Sequence, residues 1–171
     1  MTDDVDRILE QWHHERPDLD VSPMGVVGRL SRASAAVDAR LARTFAEHGL
    51  DASSFDVLAT LLRSGPPYRI SPSVLARDAM ITTSAVAQRL NKLERGGLIR
   101  RDPDPDDGRG TVIALTAAGR TAIEETLPAH LATEHAILST LNLAERDQLS
   151  TLLQRLRDAS QVPERWPTVG R

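Results

Sequence analysis

Residues 81–115 read Ile-Thr-Thr-Ser-Ala-Val-Ala-Gln-Arg-Leu-Asn-Lys-Leu-Glu-Arg-Gly-Gly-Leu-Ile-Arg-Arg-Asp-Pro-Asp-Pro-Asp-Asp-Gly-Arg-Gly-Thr-Val-Ile-Ala-Leu. The first third predicts a helix. Thr82 is a natural cap, because its hydroxyl accepts from the orphan N–H groups of a first turn. Val86, Leu90 and Leu93 recur at the four-then-three spacing of one buried face. Thr83, Ser84, Gln88, Asn91 and Lys92 then point away, a polar side without a long acidic residue. Gly96-Gly97 ends the helix, since glycine adopts the left-handed conformation that closes a last turn. Leu98-Ile99 and Val112-Ile113 with Leu115 read as strand flanks. Asp102 to Gly110 lies between them, rich in Asp, Pro and Gly, which is turn chemistry. A polar-faced helix followed at once by a hairpin is the sequence form of a winged helix. The helix is expected in a major groove, with the hairpin tip on the neighbouring backbone or minor groove.

Working outward, a shorter helix precedes the first. Ser71-Pro72 opens it, with proline at the position where its missing N–H is harmless. Val74, Leu75 and Ala79 form its inner side, so Ser71 to Arg95 is a helix-turn-helix.

With these residues in place the chain resembles the MarR family of bacterial transcriptional regulators. The resemblance rests on Leu75-Ala76, on Leu93-Glu94-Arg95-Gly96-Gly97-Leu98-Ile99-Arg100-Arg101, on Asp107-Gly108-Arg109 and on Leu115-Thr116-Ala117-Ala118-Gly119. It implies a mainly α fold with a small β-hairpin wing, whose N- and C-terminal helices form an intertwined homodimer. Paired recognition helices would then stand roughly 34 Å apart, one turn of double-stranded DNA.

The remaining periodicities supply those helices. Val5, Ile8, Leu9 and Trp12 mark an amphipathic helix from Asp3 to Arg16, followed by a linker over Pro17 to Pro23. A long helix is expected from Met24 to His48, and another from Ala52 to Arg63 capped by Asp51 or Ser53. Tyr68 to Ile70 reads as a brief strand. A long helix from Thr116 to about Leu138 contains Pro128, which should kink or divide it. Asn142-x-x-Glu145 is a capping-box start for a last helix with Leu149, Leu152, Leu153 and Leu156 inward. The expected organisation is therefore 1–48 dimerisation helices, 49–116 DNA-binding region, 117–160 C-terminal dimerisation helices and 161–171 a flexible tail. Terminal stripes this long exceed what one small winged helix covers, and a self-complementary dimer buries them.

The net charge is −3, yet residues 68–111 hold eight basic against six acidic residues, a slight local surplus that permits a basic face. No apolar run reaches the length of a membrane span, and the N-terminus lacks the pattern of a secretory signal, so a cytoplasmic protein is expected. Without cysteine there is no disulfide, no thiolate metal site and no thiol switch. His13-His14 and His130/His135 lack a spacing that would pair imidazoles on one face, so no metal and no cofactor are expected. No nucleophile–base order, phosphate loop or carboxylate pair stands out, so the chain is not read as an enzyme.

Two groups of site residues follow. Thr83, Ser84, Gln88 and Lys92 are the DNA-binding candidates of the helix, Gln88 for an adenine edge. Arg109 is the wing-tip finger, with Asp107 to orient it. The second group comes from a resemblance to the urate-responsive, PecS-like branch of the family, which carries an extra N-terminal helix. Its ligand residues correspond to Trp12, Asp56, Arg89 and Arg101, which implies a small anionic effector such as urate. Read from the residues alone, Trp12 is equally a packing anchor and Asp56 a helix-start carboxylate. The function expected is a ligand-responsive regulator, a repressor relieved by a small aromatic or carboxylate anion. The alternative is a winged-helix interaction or architectural DNA-binding dimer without an effector.

Overall fold

The computed structural model describes residues 3–79, 83–105 and 110–160. In chain order the elements are α1 (Asp4–Glu15), α2 (Ser22–Glu47), α3 (Ala52–Arg63), β1 (Arg69–Ile70), α4 (Pro72–Asp78), α5 (Thr83–Arg95), β2 (Ile99–Pro103), β3 (Thr111–Leu115), α6 (Ala117–Ile137) and α7 (Leu143–Ser160). A 3-10 turn, Leu138–Thr140, follows α6. The chain divides into two compact units between Thr133 and Glu134.

In the first unit the starts of α1 and α2 are chemically marked. Asp3 accepts from the amides of Val5 and Asp6, while the Asp6 carboxylate accepts from the Asp3 amide, a reciprocal cap. Arg29 of α2 then bridges Asp3 and Asp6 and fastens α1 across α2. The helices approach closely where Val5 and Leu9 meet Gly28 and Gly25. The linker is shorter than expected: α2 begins at Ser22, whose amide donates to Asp20, and Pro23 belongs to the first turn. Proline suits that position because the first-turn N–H has no helical partner.

The core is shared by all the middle elements. Phe45 of α2, Phe55, Leu58 and Leu61 of α3, Leu75 of α4, Leu90 and Leu93 of α5, Ile99 and Ile113 of the sheet and Ile123 of α6 are all buried. Removing each from water is worth about 1.5–3 kcal/mol, so this cluster fixes where α5 sits. His130 of α6 stacks on Phe45 with centroids 5.5 Å apart and lies tilted against Phe55 at 4.5 Å.

The sheet is antiparallel in the order β1-β3-β2, with Ile70 opposite Ile113 and Ile99 opposite Leu115. β2 runs further than the turn composition suggested, since Asp102 and Pro103 still pair with Val112 and Thr111. As an edge strand β2 tolerates a proline without an N–H. Gly97, at φ +70°, makes the turn from α5 into β2.

α6 passes through Pro128 without dividing. Its start explains the Leu-Thr-x-x-Gly pattern. Thr116 Oγ1 accepts from the Gly119 amide at 3.0 Å and donates to the Gly97 carbonyl at 2.6 Å.

In the second unit, Arg146 of α7 donates to the carbonyls of Leu138 and Leu141. Asn142 and Glu145 form the expected reciprocal cap. Within the second unit the inward face expected for α7 is left partly exposed among the described residues. Leu149, Leu152, Leu153 and Leu156 are each 40–44% exposed. Periodicity reads that a face is apolar, not what covers it.

Candidate nucleic-acid interface

The packing of Leu90 and Leu93 leaves the opposite side of α5 to solvent. Thr83 and Ser84 are the first two residues of the helix. Gln88 is exposed, and Gln88, Arg89, Asn91, Lys92 and Arg95 line an open cleft along the helix. The helix thus offers two amides and three cations on consecutive turns. Thr82 and the wing-tip residues Asp107 and Arg109 lie outside the described residues.

Two charge clamps hold α5 in place. The first is Asp51, which caps α3 by accepting from the Ser54 amide at 2.8 Å. Its other oxygen accepts from Arg89 at 2.6 Å and Lys92 at 2.7 Å. Partial burial opposes ionisation of Asp51, but hydrogen bonds from Lys92, Ser54 and Ser53 outweigh it and hold the carboxyl far below the usual carboxylate range. The second clamp joins helix to wing, with Arg101 of β2 bonded to Glu94 and, at 2.8 Å, to Asn91.

Trp12 is 41% exposed on α1. Asp56 is half-buried on α3, where its backbone carbonyl accepts from Thr60. Arg89 is engaged by Asp51, and Arg101 by Glu94 and Asn91. From the sequence Asp51 is legible only as a cap of α3, with Ser53 the alternative, and Asn91 and Glu94 carry no sign of a tie to the wing. The cap is a local signal, whereas both clamps join residues brought together only by folding.

Among the described residues no group of His, Asp and Glu is arranged to hold a metal ion, and no helix is long and apolar enough to cross a membrane.

The profile of the MarR family matches residues 48–110, which run from the end of α2 into the wing. The chain is 43% identical over 153 residues to the HTH-type transcriptional regulator PecS of Dickeya dadantii (strain 3937), covering 90% of this chain and 92% of that protein. Among solved structures, Bordetella bronchiseptica BpsR, whose DNA binding is regulated by 6-hydroxynicotinic acid, superposes with a TM-score of 0.70 at 28% identity, over 78% of this chain and 93% of that one. Sco3205, a MarR family regulator from Streptomyces coelicolor solved in complex with DNA, superposes with a TM-score of 0.74 at 23% identity, over 84% and 94% of the two chains.

Proposed function

The chain belongs to the MarR family of transcriptional regulators, and on that premise we propose that it is a homodimeric, ligand-responsive repressor of a promoter site with two-fold symmetry. The observation that carries this reading is α5, a helix seated on the core by Leu90 and Leu93 with Gln88, Lys92 and Arg95 left at its surface. Such a helix reads base edges in a major groove, and the adjoining hairpin reaches the backbone or minor groove beside it. Thr83, Ser84, Gln88 and Lys92 take the first role. Arg109 takes the second, oriented by Asp107. The exposed leucines of α7 support a dimer, because one stripe repeated on two copies is self-complementary.

The effector we assign is a flat anion, urate or a small aromatic carboxylate, held by Trp12, Asp56, Arg89 and Arg101. The chemistry supports it: indole stacks on a planar ring, guanidinium groups bind an anion, and a carboxylate accepts from ring N–H groups. The regulation of BpsR by 6-hydroxynicotinic acid supports an effector of this class. Arg89 and Arg101 already pair with carboxylates in the free chain, so the anion would exchange one set of negative partners for another.

Genome-wide footprinting with the purified protein tests both parts. The expected result is a small set of footprints with dyad symmetry that fade when urate is added. Absence of any footprint overturns the regulator reading, and footprints unaltered by urate or a small aromatic carboxylate overturn the effector.

A further inference from the structure

The carboxylate of Asp51 is divided between two tasks. Oδ1 serves the start of α3, accepting from the Ser54 amide at 2.8 Å and the Ser53 hydroxyl at 3.1 Å. Oδ2 faces α5 and accepts from both Arg89 and Lys92. The two cations differ in standing. The Arg89 side chain is 25% exposed, and its buried Nε has no hydrogen-bond partner among the described residues. It fills a place between α3 and α5. The Lys92 side chain is 60% exposed and lies along the same cleft as Gln88 and Arg95. An ammonium on a flexible stem can pass from one oxyanion to another without disturbing the core.

We propose that Asp51 is a positioning residue for DNA binding, one that holds α5 against α3 through Arg89 and competes with the DNA backbone for Lys92. This rests on the reading of α5 as the recognition helix. The Lys92–Asp51 attraction that must be broken is itself screened by salt, so its cost falls as salt rises and the salt dependence of binding is smaller than the number of phosphate contacts implies. A residue that only caps α3 has no such effect.

Binding of a random-sequence duplex, followed by fluorescence anisotropy across a salt series, separates these cases. Asp51→Asn removes the charge and keeps a side-chain oxygen for the cap, since asparagine caps helices as well as aspartate does. Asp51→Ser does the same with a hydroxyl and serves if the first variant fails to fold. Loss of the Arg89 contact weakens binding at every salt, whereas release of Lys92 favours it chiefly at low salt. The affinity of either variant relative to the native chain should therefore be highest at the lowest salt and fall as salt rises. The variant's slope of log affinity against log salt should be steeper than that of the native chain. Lys92→Gln should then lower the slope by up to about 0.9 in the Asp51→Asn background, and by less in the otherwise native chain. Equal effects of Lys92→Gln in both backgrounds overturn the competition. A native chain that binds no duplex at any salt overturns the DNA-binding reading itself, and the proposal falls with it.

Discussion

The Cβ that Gly119 lacks would lie 1.8 Å from the carbonyl oxygen of Leu98. The first turn of α6 is therefore pressed onto the backbone that leads from α5 into the wing. Thr116 reinforces the junction through its bond to the Gly97 carbonyl. Gly119→Ala should force these backbones apart at a cost of about 3 kcal/mol, with DNA binding lost in proportion. Chemical denaturation checks the first part. A variant as stable as the native chain would show that the junction relaxes freely.

Gln88 and Arg109 should fail differently. Gln88→Ala removes a base contact, so discrimination at one operator position should relax by about 1–3 kcal/mol. Arg109→Ala should weaken binding to every duplex and make the salt dependence shallower, as loss of a groove or backbone cation does. Competition between operator variants, repeated at several salt concentrations, reads both. Native-like binding by both variants would count against the helix and wing assignment.

The exposed stripe of α7 makes a prediction about assembly. Leu152→Glu should place a charge in the dimer interface, and the product should sediment as a monomer or unfold, because a folded monomer leaves the stripe in water. Truncation after Ser160 should leave the dimer intact, whereas truncation before Asn142 should abolish it. A Leu152→Glu chain that remains a stable dimer at micromolar concentration would place the interface elsewhere.

Asp51 should also mark the response to acid. Folding lowers its pKa, so it contributes stability that is fully present above the unfolded value of about 3.9. That contribution is lost as pH falls below this point toward the folded value. The stability gap between the native chain and Asp51→Asn should therefore be constant near neutrality and shrink below about pH 4. Urea denaturation at a series of pH values measures it. A gap that does not narrow in acid would assign the loss to the cap alone.

Trp12 should report the effector. In a Trp166→Phe background its fluorescence is expected to change on adding urate or a small aromatic carboxylate, and Asp56→Ala should abolish the response while sparing DNA binding. The coupling must be reciprocal, so operator DNA should weaken ligand binding by the factor with which ligand weakens DNA binding. Silence of Trp12 toward every planar anion tried would leave it a packing residue of α1.

Several elements were decided by residues close together in the sequence. Asp51 and Ser71 cap α3 and α4, Gly97 turns α5 into β2, and Asn142 with Glu145 opens α7. Each is a contact across a few residues, so the local alphabet states it. The periodic burial of Leu90 and Leu93 was legible for the same reason, because a helix repeats its face every three or four positions. What folding alone decided lies between distant positions. Asp51 meets Arg89 and Lys92 across separations of 38 and 41 residues, and no periodicity encodes a carboxylate that serves one helix as cap and another as clamp. The exposure of the α7 leucines belongs to the same class. A sequence records which side of a helix is apolar, while only the arrangement of the other helices decides whether that side is buried within the chain or left to a second surface.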